Sequence, residues 1–200
     1  MMETIYVKGM TLDELISLFN CNISNDYDFY DVVAFNIVEK SPNFFFDTEQ
    51  RNYSNTQFRA IISALVCTKA TSQKLFDYLE SYLQSEDPVL ISEVLDAYRL
   101  IGENSKWNVV KKLLDHCSPC VRSAALRYCR FCLSKEDAFQ ILICYLTDAH
   151  YIVRENAVEE LGQLYDKKAI EYLLPLCKDE NEHVQMAARG AIEKLSESDG

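Results

Sequence analysis

Two stretches of this chain repeat one another at a fixed distance. Asp148, Val153, Arg154, Ala157, Leu161 and Leu164 are each followed, 31 residues on, by Asp179, Val184, Gln185, Ala188, Ile192 and Leu195. Stepping back from Val153 by 32, 31 and 32 residues reaches Val121, Leu90 and Phe58. Apolar residues recur from these anchors at offsets of about 4, 8 and 11, which at 100° per residue share one narrow helix face. Between these helices lies a second set, with apolar stripes through Phe76, Leu79 and Leu83; Trp107, Val110, Leu113 and Leu114; Ala138, Ile141, Leu142 and Tyr145; and Ile170, Leu173, Leu174 and Cys177. Each repeat is therefore a first and a second helix, each with one apolar stripe. One such pair cannot bury both stripes alone, so neighbouring pairs must stack. The predicted fold is all-α: an α-solenoid, a right-handed superhelix of stacked antiparallel helix pairs.

Helix punctuation agrees with this register. Asp87-Pro88 and Ser118-Pro119 each place a capping residue before a proline at the first helical position. Thr11 with Glu14, and Ser134 with Asp137, read as capping boxes. Gly102 stands where a left-handed residue would end a helix. The repeat helices are predicted near 56–68, 72–84, 87–101, 106–115, 118–133, 135–147, 150–165, 167–178 and 182–197.

The run Leu173-Leu174-Pro175, the turn residue Asp179 and the following Val184 resemble the HEAT repeat, in the shorter form found in phycobilisome-lyase-like proteins. The resemblance is close over residues 115–197, looser over 56–114, and absent before that. It implies a first helix carrying the proline, a turn carrying the aspartate, and a second helix opening with Val-Arg. It also implies that the turn aspartate and the second-helix arginine bond across adjacent repeats. Asp148 and Arg154 match those positions, and Asp115 and Arg122 match with one extra residue between them. Gln185 replaces the arginine in the last copy, so the ladder is expected to weaken there.

The predicted organisation is an atypical helical N-terminal cap over 1–54, a HEAT-like array of about four to five helix pairs over 55–197, and a frayed tail at 198–200. In the cap, Thr11 to Phe19 and Tyr30 to Lys40 read as helices, with residues 1–10 a loose lead. Phe44-Phe45-Phe46 is expected to pack over the first repeat, because large apolar residues are usually inside; the alternative is an exposed aromatic anchor for a partner.

A net charge of −11 disfavours undirected attraction to nucleic acid or an anionic membrane. No run of about 20 apolar residues is present, so no membrane span is expected. The start, Met1 to Thr11, lacks a basic region followed by a long apolar run. The expected compartment is the cytoplasm, and the eight cysteines are read as reduced thiols.

Two Cys-x-x-Cys pairs, Cys117/Cys120 and Cys129/Cys132, raise the possibility of zinc. One helix over 118–133 would hold Cys120 and Cys129 about 13 Å apart along its axis, too far for ligands of one ion. Cys129 and Cys132 also occupy the offsets of Leu161 and Leu164, and read as small core residues. Cys117 and Cys120 lack the strand and βαβ context of a redox motif. His116, His150 and His183 fall in turns at three different offsets and read as turn residues. No Gly-rich phosphate loop, nucleophile elbow or His-Glu-x-x-His is present. No metal, cofactor or catalytic constellation is therefore expected.

What remains is the face of the second helices turned away from the core stripe, which in HEAT-like proteins lines the concave surface. It carries Ala60, Ala64 and Cys67; Ser92, Asp96 and Arg99; Ser123, Arg127 and Arg130; Glu155 and Glu159; and Met186 and Glu193. Arg99, Arg127 and Arg130, flanked by Asp96, Glu155 and Glu159, read either as a solvated face neutralised by its neighbours or as a patch recognising another protein. Lying opposite the core stripe, the arginines are expected to be dispensable for packing. The expected function is a non-enzymatic protein-binding module, an adaptor or inhibitor. Two alternatives are an acidic immunity-type protein neutralising a basic toxin domain, with Glu155, Glu159 and the acidic N-terminal half as the binding surface, and a bilin-lyase-like subunit.

Overall fold

The computed structural model describes residues 7, 9–21, 27–47, 53–68 and 73–197. Most of the predicted lead over residues 1–10, residues 48–52 and the predicted tail 198–200 lie outside these. The chain divides into two compact units, Met1–Ile101 and Gly102–Gly200. Both are built of helices, and no strand occurs among the described residues.

In the first unit, α1 (Leu12–Asn20) opens with the predicted capping box, the Thr11 hydroxyl accepting from Glu14 N–H while the Glu14 carboxylate accepts from Thr11 N–H. Next come α2 (Tyr27–Lys40), α3 (Phe44–Asp47), α4 (Asn55–Cys67), α5 (Gln73–Ser81) and α6 (Pro88–Ile101). Helix α4 has a capping box of its own, built by Ser54 and Gln57. At the head of α6 the Asp87 carboxylate accepts from Val89 N–H at 2.8 Å.

Helix α2 lies along α4, and α4 along α6, while α1 packs on α2. The pair α1/α2 therefore stacks as a repeat does, although its sequence shows no resemblance to one. This placement changes the register expected for α4. Ala60 and Ala64, assigned from periodicity to the open face, are 0% and 1% exposed. A helix flanked on both sides by other second helices has more than one buried face, which a single-stripe reading does not capture. Phe19 sits at the hub of an aromatic core, with ring centroids 5.4 Å from Tyr30, 5.4 Å from Phe45 and 5.6 Å from Tyr53. Phe45 is buried and Phe46 meets Tyr78 edge-on at 5.6 Å, so these phenylalanines pack inward.

In the second unit, α7 (Trp107–Val110), α9 (Lys135–Cys144) and α11 (Ala169–Leu173) are the first helices, and α8 (Pro119–Cys132), α10 (Tyr151–Gln163) and α12 (Glu182–Glu197) the second helices. Helix α10 lies between α8 and α12 and touches both. Each of these first helices, and α5 before them, ends in a 3-10 segment: Tyr82–Gln84, Lys111–Asp115, Tyr145–Thr147 and Leu174–Lys178. Tightening the last turn satisfies carbonyls that an α-helix would leave open. The chain then turns extended at Ser85, His116, Asp148 and Asp179, ready to start the second helix. Gly102 takes the left-handed conformation expected of it, with φ +80°.

Val121, Ala125 and Cys129, Val153, Ala157 and Leu161, and Val184, Ala188 and Leu195 are all fully buried. The alanines mark close approach of neighbouring helices, where added volume cannot be absorbed. Ala157→Leu is expected to cost about 1 to 3 kcal/mol through overpacking, read as a lowered urea midpoint at unchanged m-value; an unmoved midpoint would place Ala157 outside the core.

Candidate functional site

A ladder of arginine and aspartate ties the second unit together. The Arg122 guanidinium on α8 donates to both carboxylate oxygens of Asp148, at 2.9 and 2.7 Å. Arg154 on α10 binds Asp179 in the same way, at 2.9 and 2.8 Å. Each arginine also donates backwards through Nη1 to backbone carbonyls of its own turn, those of His116 and Cys117 or of Asp148 and Ala149. The carboxylates cap the following turn, Asp148 accepting from His150 N–H and Asp179 from Asn181 N–H, both at 2.8 Å. Hydrogen bonding from Arg154 holds the Asp179 carboxyl below its ordinary pKa against some burial. Burial pushes Asp148 up, but Arg122 and the His150 N–H outweigh it and the net direction is down. The bond across adjacent repeats is thus present twice. In the last copy Gln185 reproduces only the backward half, donating to Asp179 C=O at 2.7 Å.

On the open side of the same helices the structure brings Arg127, Arg130, Glu155 and Glu159 onto one face. Arg127 Nη1 donates to Asn156 Oδ1 at 2.8 Å, and Asn156 in turn donates to Ile152 C=O at 3.0 Å. Arg130 forms an ion pair with Glu160, a residue only 8% exposed. Arg130 is therefore part of the packing between α8 and α10, contrary to the expectation that these arginines serve no structural purpose. Ser123, expected on the open face, is buried against α10 with its hydroxyl 3.4 Å from Ile152 C=O. Partial burial raises the Glu159 carboxyl above its ordinary pKa, and repulsion from Glu155 and Glu160 adds to this while Arg127 opposes it.

Beyond Glu159 a cleft of about 380 Å³ opens between α10 and α12, with Gly162, Ala187, Gly190 and Ala191 among its walls. The helices meet closely here, since a Cβ placed on Gly162 would fall 3.0 Å from that of Ala191. Met186 stands on the same face of α12 and is 69% exposed.

Asp96 and Arg99 belong to α6 in the first unit, where they face each other at 3.5 Å. In the same unit Arg59 on α4 lies between the Tyr27 ring, 4.8 Å away, and Glu93 on α6, 2.9 Å away.

Glu160 was not among the residues singled out by sequence reasoning. The available signal was spacing: Arg130 and Glu160, like Arg59 and Glu93, are opposite charges about one repeat apart, and so face each other on neighbouring helices.

The cysteine pairs are held at opposite ends of an unbroken α8. Cys117 and Cys120 are exposed, whereas Cys129 is buried in the core and its thiol is pushed up to about 12 by that burial. The Cys132 thiol donates to Cys129 C=O and is raised by burial to about 11. Two of the histidines are turn residues, His116 Nδ1 accepting from Ser118 N–H at 3.0 Å and His150 Nδ1 from Ile152 N–H at 3.3 Å. Among the described residues no group of three His, Cys, Asp or Glu is arranged to hold a metal ion, and no helix is long and apolar enough to cross a membrane.

No curated protein matches the chain. Residues 139–199, from α9 through α12, match the family model for HEAT repeats. HEAT repeats are in general protein-interaction scaffolds. The stacked helix pairs and the Arg154–Asp179 bond lie within the stretch that is similar to HEAT repeats.

Proposed function

We propose that the protein is a non-enzymatic interaction module that takes a partner protein on the open face of α8, α10 and α12. The observation that carries this reading is the fixing of the Arg127 guanidinium on α8 by Asn156 on α10; Met186 on α12, 69% exposed, adds a separate apolar side chain. A side chain already ordered loses less entropy on binding, and arginine is among the residues enriched at binding hot spots. On α12, Met186 offers an adaptable apolar contact. The partner surface that fits is an apolar patch bordered by a carboxylate for Arg127.

Arg130 is unsuitable as a probe, because reversing its charge would set two carboxylates against each other at Glu160. The cleaner variants are Arg127→Gln, which removes the charge without adding a carboxylate beside Glu159, and Met186→Ser. Each is expected to leave the melting temperature nearly unchanged and to weaken binding of a partner captured from the native host by more than about 1 kcal/mol in titration calorimetry. If instead Glu155→Lys with Glu159→Lys abolishes binding and Arg127→Gln strengthens it, the partner is basic and the immunity-type reading replaces this one.

A further inference from the structure

The first unit carries a second surface, separate from the face just described and not resting on it. Asp28, Val32, Phe35 and Glu39 follow one another along α2 at spacings of four, three and four residues. At 100° per residue they form a single stripe, about 16 Å long at 1.5 Å per residue. The opposite side of α2 is complete without them, since Tyr30, Val33, Ala34, Ile37 and Val38 are all fully buried. Val32 and Phe35 are nevertheless 44% and 37% exposed. Val32 and Phe35 thus expose apolar surface side by side, with Asp28 and Glu39 at the two ends of the stripe and Asp31 alongside.

Charge decides what would cover it. Residues 1–101 contain seven lysines and arginines against fifteen aspartates and glutamates, so this unit carries −8 of the chain's −11. Arg59, the basic residue on the neighbouring face of α4, is already engaged by the Tyr27 ring and Glu93. A second copy of the chain would bring like charge to the stripe, and an anionic lipid surface would do the same. We propose that the α2 stripe docks a basic amphipathic helix of another protein. Its apolar residues, spaced three and four apart, seat on Val32 and Phe35, and its flanking lysines or arginines meet Asp28, Asp31 and Glu39.

The test uses a fluorescently labelled helical peptide of leucine and lysine, about 18 residues long, with leucine along one face. It is titrated into the full chain by anisotropy, beside a scrambled peptide of equal composition. The expected result is saturable binding of the amphipathic peptide, at least about tenfold tighter than the scrambled one, weakening as salt rises. Val32→Ser with Phe35→Ser, and separately Glu39→Lys, should each weaken it at least about tenfold, with cooperative thermal unfolding showing that each variant remains folded. Equal affinity for the scrambled peptide would overturn the proposal in favour of undirected charge attraction. Unaltered affinity in the Val32/Phe35 variant, or no binding of the amphipathic peptide, would overturn it outright. Sedimentation showing self-association that the Val32/Phe35 variant loses would assign the stripe to a second copy instead. Binding to phosphatidylserine vesicles lost in the same variant would assign it to lipid.

Discussion

Arg154→Ala is expected to lower the free energy of unfolding by about 3 to 5 kcal/mol, the cost of removing one partner from a buried ion pair. The Arg154 and Asp179 side chains are 8% and 10% exposed, so the orphaned carboxylate could not be rescued by water. The carbonyls of Asp148 and Ala149 would lose their donor in the same step. Arg154→Lys should fall between the two, because an ammonium keeps the charge and loses the two-pronged geometry. Urea unfolding followed by circular dichroism reads both, and a loss below about 1 kcal/mol for the alanine variant would mean the ladder is decorative. The same pair predicts a pH dependence. Asp148 and Asp179 have folded pKa values below their unfolded ones. Their contribution is therefore fully present above the unfolded carboxyl value, about 3.9, and is lost as pH falls through the folded values. Stability should decline in acid from about pH 4 downward, and the decline should be shallower in Arg154→Ala.

The second large effect is expected at the other end of the chain. Phe19→Ala should cost about 3 to 5 kcal/mol, as for other fully buried aromatic truncations. Phe19 is 1% exposed, and three aromatic rings rest on it. Its carbonyl accepts from Gln57 Nε2 at 2.6 Å, so the end of α1 is fastened to the first turn of α4. If the residues before Asn55 were a loosely attached cap, the variant would unfold that segment alone and leave the main transition where it was. A single transition shifted as a whole would show that α1 and α2 fold with the helices that follow.

Repeat spacing made most of the helices legible, because a stripe of apolar residues every 31 or 32 positions has few other physical solutions. It placed Val153, Ala157 and Leu161 in the core, and the resemblance it led to paired the turn aspartates with second-helix arginines. It failed where a residue answers to a neighbour one repeat away rather than to its own helix. Ala60 and Ala64 are buried on a helix that packs against both α2 and α6, and the sequence of α2 does not announce itself as a repeat element. Glu160 is buried because Arg130 meets it from α8, and a periodic reading assigns a glutamate to solvent. The 3-10 endings of the first helices left no trace in the apolar pattern, since they redistribute hydrogen bonds without moving the stripe.

The contrast among the cysteines has a practical consequence. Cys117, Cys120 and Cys144 lie in the open, whereas Cys129 is sealed within α8 with a thiol that stays protonated near neutrality. Thiolate is the species that alkylating reagents attack, so these positions should react on very different timescales. Labelling at Cys129 must wait for α8 to part from its neighbours, and its rate would clock a local opening of the second unit that global unfolding curves average away.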